Sequence, residues 1–118
     1  MILVDTSVWI DHFRKTNEPF SELLNNGQVV CHSFVVGELA CGNMKNRHDI
    51  MSLLQELPTL DCVSDDEILF FIEKHALMGK GLGLVDIHLL ASALLHDTPL
   101  WTLDKRLKKE AIEFQIDY

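Results

Sequence analysis

The chain opens on an apolar run, Ile2-Leu3-Val4, that stops at a carboxylate, Asp5, followed by the hydroxyls Thr6 and Ser7. A short, continuous hydrophobic run with β-branched residues is the pattern of a strand buried on both faces, as in a parallel sheet covered by helices. Thr6 or Ser7 suits a helix cap, and Trp9 and Phe13 lie four apart on one face of the helix that follows. Asp5 is thereby predicted at the carboxyl end of a first, central strand. In open α/β sheets that edge is where ligands bind. Asp5 is expected to hold a divalent metal there, with other oxygen donors supplied by later elements.

The remaining chain alternates helical and strand patterns. Asn17 to Asn26 is predicted as a helix, with Pro19 near its start and Gly27 just past its end. Gln28 to His32 is a second strand, and Ser33 is predicted to cap a helix carrying Glu38, Leu39 and Cys41. Asp49 to Leu57 is helical by spacing, and Leu60 to Val63 a short third strand. Ser64-Asp65-Asp66-Glu67 forms a capping box ahead of a helix to about Met78, so Asp65 and Asp66 are assigned no chemistry. Gly79-Lys80-Gly81-Leu82-Gly83 follows a helix rather than a strand and lacks both phosphate-loop forms, which makes it a connector. Val85 to Leu95 is a long helix, Thr98 to Thr102 a fourth strand, and a basic helix leads to a last short strand at Phe114-Gln115-Ile116. This order implies parallel strands joined by crossover helices, in one three-layer α/β/α domain spanning residues 1–118 around a central, mostly parallel sheet.

Bulk properties narrow the function. No apolar run approaches the ~20 residues needed to cross a membrane, and the opening run is too short for a signal peptide, so a cytoplasmic protein is expected. The three cysteines, Cys31, Cys41 and Cys62, form no C-x-x-C pair and are expected to be buried small hydrophobes. The six histidines show no metal-ligand spacing and are expected on helix surfaces or satisfied in the core. Trp9, Phe13 and Trp101 are assigned to packing rather than base stacking. A formal net charge of −8 argues against a nucleic-acid partner. Two features offset it: acids gathered around a cation change the local sign, and basic residues cluster at Lys105, Arg106, Lys108 and Lys109.

Four acids share one kind of position. Asp5 ends the first strand, Glu38 lies one turn into the helix after the second, Asp86 opens a helix, and Asp104 follows the fourth strand. Strand C-termini and the N-termini of the following helices face the same sheet edge, so all four can converge. At ~5 Å and an effective dielectric of ~20, each like-charge pair costs about 3 kcal/mol. Several such pairs rival the ~5–15 kcal/mol stability of a whole domain. Either protons stay on or a cation neutralises the cluster. All-oxygen ligation favours Mg²⁺ or Mn²⁺ over zinc, and such ions activate water and stabilise charge on phosphate oxygens.

With Asp5-Thr6-Ser7, Glu38, the D-x-x-L-L-A-S-A segment around Asp86 and L-W-T-L-D-K-R-L around Asp104, the chain resembles PIN domains. Within that family it is similar to the VapC-type ribonuclease toxins of bacterial toxin–antitoxin pairs. The similarity runs from Met1 to about Ile116. It implies a metal site of Asp5, Glu38, Asp86 and Asp104, with Thr102 orienting Asp5 or Asp104 and Ser7 beside them. It also implies Mg²⁺- or Mn²⁺-dependent endoribonuclease activity on RNA such as tRNA, a homodimer, and a VapB-type antitoxin whose tail covers the site. Arg14, Lys45, Arg47, Lys80, Lys105 and Arg106 are the bases available to dock RNA. A housekeeping RNA-processing nuclease would use the same site. A receiver domain would want a second acid beside Asp5, a D-x-D phosphoryl-transfer hydrolase would need an acid at Ser7, and a non-catalytic scaffold would not retain all four acids.

Overall fold

Every residue of the chain, 1–118, is described by a computed structural model. Strand β1 (Ile2–Val4) sits inside the sheet, between β2 (Val29–His32) and β4 (Leu100–Trp101), and β3 (Thr59–Leu60) completes the order β3-β2-β1-β4. All three pairings are parallel, with Leu3 opposite both Val30 and Leu100. The apolar opening run is therefore a central strand, and Leu3 and Val4 are fully buried. After β3 the chain crosses to the other side of β1 to lay down β4. The C-termini of β1 and β4 thus flank a topological switch point, where parallel sheets open a crevice.

Seven helices complete the three layers: α1 (Thr6–Arg14), α2 (Glu18–Asn25), α3 (Ser33–Cys41), α4 (Arg47–Glu56), α5 (Asp65–His75), α6 (Leu84–Leu95) and α7 (Lys105–Glu113). Trp9 and Phe20 meet edge to face, with ring centroids 4.6 Å apart, and anchor α1 and α2 in the core. Helix α6 is buried along most of its length, because its apolar and small residues run nearly all the way round.

Several local expectations are corrected. Asp5, not Thr6 or Ser7, is the N-cap of α1, and its side chain makes no capping bond. His32, not Ser33, caps α3: its Nδ1 accepts the Phe34 N–H at 3.1 Å. The third strand is Thr59–Leu60 rather than 60–63, and α5 stops at His75 because Ala76 turns left-handed at φ 51°. The last short strand is absent. Instead α7 runs to Glu113, and only an isolated bridge joins Leu100 to Asp117. Of the cysteines only Cys31 is buried; Cys41 and Cys62 are exposed.

Candidate metal centre at the sheet edge

Asp5 follows β1 directly and is buried despite its charge. A buried carboxylate needs hydrogen-bond donors, and two hydroxyls supply them. Ser7 Oγ and Thr102 Oγ1 each donate to the same oxygen, Asp5 Oδ2, at 2.7 Å. Each hydroxyl is itself held by the chain that follows β4: Leu103 N–H donates to Ser7 Oγ and Asp104 N–H to Thr102 Oγ1, both at 3.0 Å. The ends of β1 and β4 are therefore tied through side chains as well as through the sheet. Both hydroxyls converge on Oδ2, which leaves Oδ1 free of side-chain hydrogen bonds.

Each of the other three acids also has one oxygen fixed. Glu38, exposed on α3, accepts Thr6 Oγ1 at 2.8 Å. Asp86, half-buried in the first turn of α6, accepts the Gly83 N–H at 2.9 Å. Asp104, the N-cap of α7, accepts the Leu107 N–H at 3.0 Å. Burial raises the Asp86 carboxyl above its usual pKa; the Gly83 N–H opposes this, and the charges of Asp5, Asp104 and Glu38 add to the rise. Asp86 thus senses all three other acids. The four nevertheless stop short of a closed ligand shell, since no three acidic, cysteine or histidine side chains stand grouped as a metal site.

Thr6 is a residue whose part the sequence did not reveal. It reads as a cap, yet its hydroxyl crosses to α3 and orients Glu38. The only signal in the sequence is a hydroxyl beside Asp5, which equally suits a cap. Among the bases expected to dock RNA, Arg47 instead closes the end of α3, reaching the Gly42 and Ala40 carbonyls at 3.1 and 2.7 Å. Arg14 and Lys45 line a groove that reaches Glu38. His12 Nδ1 accepts the Asn17 N–H at 3.1 Å, and its ring packs edge to face on Phe20.

The donor set is all oxygen, with Asp5 held in place by two hydroxyls, and that composition fits a hard divalent cation. Residues 2–112 match the PIN domain family. Ribonuclease VapC32 of Mycobacterium tuberculosis, strain CDC 1551 / Oshkosh, is 46% identical over 114 residues, covering 96% of this chain and 92% of that protein. The VapC32 of strain ATCC 25618 / H37Rv aligns with the same identity and coverage. A match over nearly the whole chain, on a four-stranded parallel sheet covered by helices, means that this protein belongs to the PIN-domain family, among its VapC-type members.

Proposed function

We propose that the chain is a divalent-metal-dependent endoribonuclease, the toxin of a toxin–antitoxin pair, acting on RNA (tRNA among the candidates) in the cytoplasm as one PIN domain. Asp5, Glu38, Asp86 and Asp104 are its metal ligands, with Mg²⁺ or Mn²⁺ as the cofactor. The observation that carries this reading is Asp5, buried at the end of the central strand with Oδ2 held by two hydroxyls, while burial and the three other acids hold the Asp86 carboxyl above its usual pKa. A cation among them would relieve that cost, and when bound it supplies a Lewis acid toward water and phosphate oxygens. Ser7 and Thr102 orient Asp5, Thr6 orients Glu38 and the Gly83 N–H orients Asp86, so little reorganisation is left for the reaction itself.

Two protein partners complete the proposal. A groove of about 700 Å³, lined by Ile10, Phe13, Leu39, Met44 and Ile50, ends at Glu38. It suits an antitoxin tail with apolar side chains and a cation that reaches the acids. Helix α5 suits a second copy of this chain. Leu69 and Phe70 are 61% and 66% exposed at its middle, flanked by Asp65, Asp66 and Glu67 in its first turn and Lys74 and His75 in its last. Two such helices packed antiparallel about a two-fold axis set acidic ends against basic ends and cover the apolar middles.

The test is incubation of the purified protein with total RNA, with Mn²⁺ or Mg²⁺ and with chelator, alongside Asp5→Asn. Cleavage that needs the ion and disappears in the variant is the expected result. Cleavage by a pure, folded Asp5→Asn preparation overturns the assignment.

A further inference from the structure

A second cavity opens beside the loop that leads to Asp86. It measures about 580 Å³, and Lys80, Arg106 and Lys109 stand on its walls with His75, Glu110 and Glu113. Three of the chain's 10 Lys and Arg side chains thus meet in one place on a molecule of net charge −8. Lys80 is tied to the buried Glu110 at 3.0 Å, and that is the only ion pair in the molecule. Arg106 and Lys109 therefore have no carboxylate within pairing distance, although Glu110 and Glu113 lie one turn further along the same face of α7.

Arg106 lies across the glycine loop rather than against a carboxylate. Gly81 is left-handed at φ +76°, and a Cβ there would lie 2.9 to 3.1 Å from the Arg106 side chain. The guanidinium thus rests over a glycine whose left-handed backbone disfavours any other residue. This contact joins the two segments that lead to the carboxylate site. The loop continues from Gly81 to Gly83, which holds Asp86, and α7 begins at its cap, Asp104. The cavity and the metal centre are neighbours sharing one loop and one helix.

We infer that this cavity is where the RNA backbone is gripped beside the cleavage site, with Arg106 and Lys109 contacting phosphates away from the scissile one. The inference rests on the ribonuclease reading. Its physical basis is that four acids repel a polyanion, so an RNA strand entering there needs fixed positive charge next to them. The Lys80–Glu110 pair forms part of the cavity wall, and the two unpaired cations face the strand.

Binding of a labelled 15-mer single-stranded RNA is measured in chelator, where no cleavage occurs, across a salt series. For the double variant Arg106→Gln/Lys109→Gln, the slope of log affinity against log salt falls by about 1.4, since each single-strand phosphate contact contributes roughly 0.7. Lys15→Glu lowers the net charge by the same two units away from the cavity and keeps the wild-type slope. Thermal melts confirm that each variant is folded. A slope for Arg106→Gln/Lys109→Gln equal to that of Lys15→Glu overturns the inference. Metal-dependent cleavage is assayed separately. Cleavage with unaltered slopes sinks this inference alone, slopes as expected without cleavage sink the nuclease reading alone, and failure of both sinks the two together.

Discussion

Thr102 Oγ1 donates a 2.7 Å hydrogen bond to Asp5 Oδ2 while accepting the Asp104 N–H at 3.0 Å, so one hydroxyl sets two acids that are 99 positions apart. Its neighbour in this network, Ser7, holds the same Asp5 oxygen from the other strand's side.

Thr102→Val keeps the shape and removes the hydroxyl. It leaves one donor on a buried carboxylate and strands the Asp104 N–H. The expected cost is about 1–3 kcal/mol of stability, read by denaturant unfolding. Ribonuclease activity or metal affinity falls about 10–100-fold, the usual effect of losing a residue that orients a ligand. Thr102→Ser restores most of both. A Val variant as active as wild type would show that Ser7 alone suffices.

Divalent metal raises the melting temperature. An ion that binds only the folded site stabilises it by about 1.4 kcal/mol at tenfold over its dissociation constant. Asp86 supplies the contrast. Its pKa is raised in the folded protein, so its charged form costs stability at neutral pH, and that cost disappears as pH falls through the folded pKa. Asp86→Asn therefore melts no lower than wild type in chelator and loses the metal response. A full metal shift retained in Asp86→Asn would remove Asp86 from the ligand set.

Acid weakens the fold through His32. Its Nδ1 accepts the Phe34 N–H, and its Nε2 meets Ser92 Oγ at 3.1 Å, which itself donates to the Asp61 carbonyl. Only the neutral ring with its proton on Nε2 satisfies all three. Burial, with His88 adding a smaller push, lowers its pKa from 6.5 to about 4. Between those values the unfolded chain binds the proton and the folded one does not, so stability is complete above pH 6.5 and declines toward pH 4. Denaturant midpoints across that window check the slope, and NMR titration of His32 checks the cause. A His32 resonance that titrates near 6.5 in the folded protein would contradict it.

Phe70→Glu separates association from folding. The ring is exposed in the single chain, so the change costs the monomer only about 0.5 kcal/mol or less. Across the two-fold contact it sets charge against an apolar surface. Sedimentation is expected to show a dimer for wild type and a monomer for the variant. An unchanged dimer would move the contact off α5.

Much of this was legible in the linear order. Ile2-Leu3-Val4 specifies a strand covered on both faces because no residue in it tolerates water, and Asp5 marks its end because a charge cannot continue it. The capping box at Ser64 and Glu67 formed as written, since both partners lie within one turn. Local chemistry is ambiguous where two neighbouring residues can do one job: His32 takes the cap expected of Ser33, because the buried ring finds Ser92 on α6 as its second partner. Cys41 and Cys62 are exposed, since a residue's burial depends on what packs over it rather than on its type.

The alternation of strands and helices, and the acids that end or open them, belong to the sequence alone, because hydrophobic period and capping act within a few residues. Which oxygen of Asp5 is held, that Thr6 turns to Glu38, and that Arg106 lies across Gly81 were decided only by the tertiary structure. Those contacts join segments 32, 97 and 25 positions apart. Pairings at such separations exist only once the parallel sheet, with β1 between β2 and β4, has brought the strand ends to one edge.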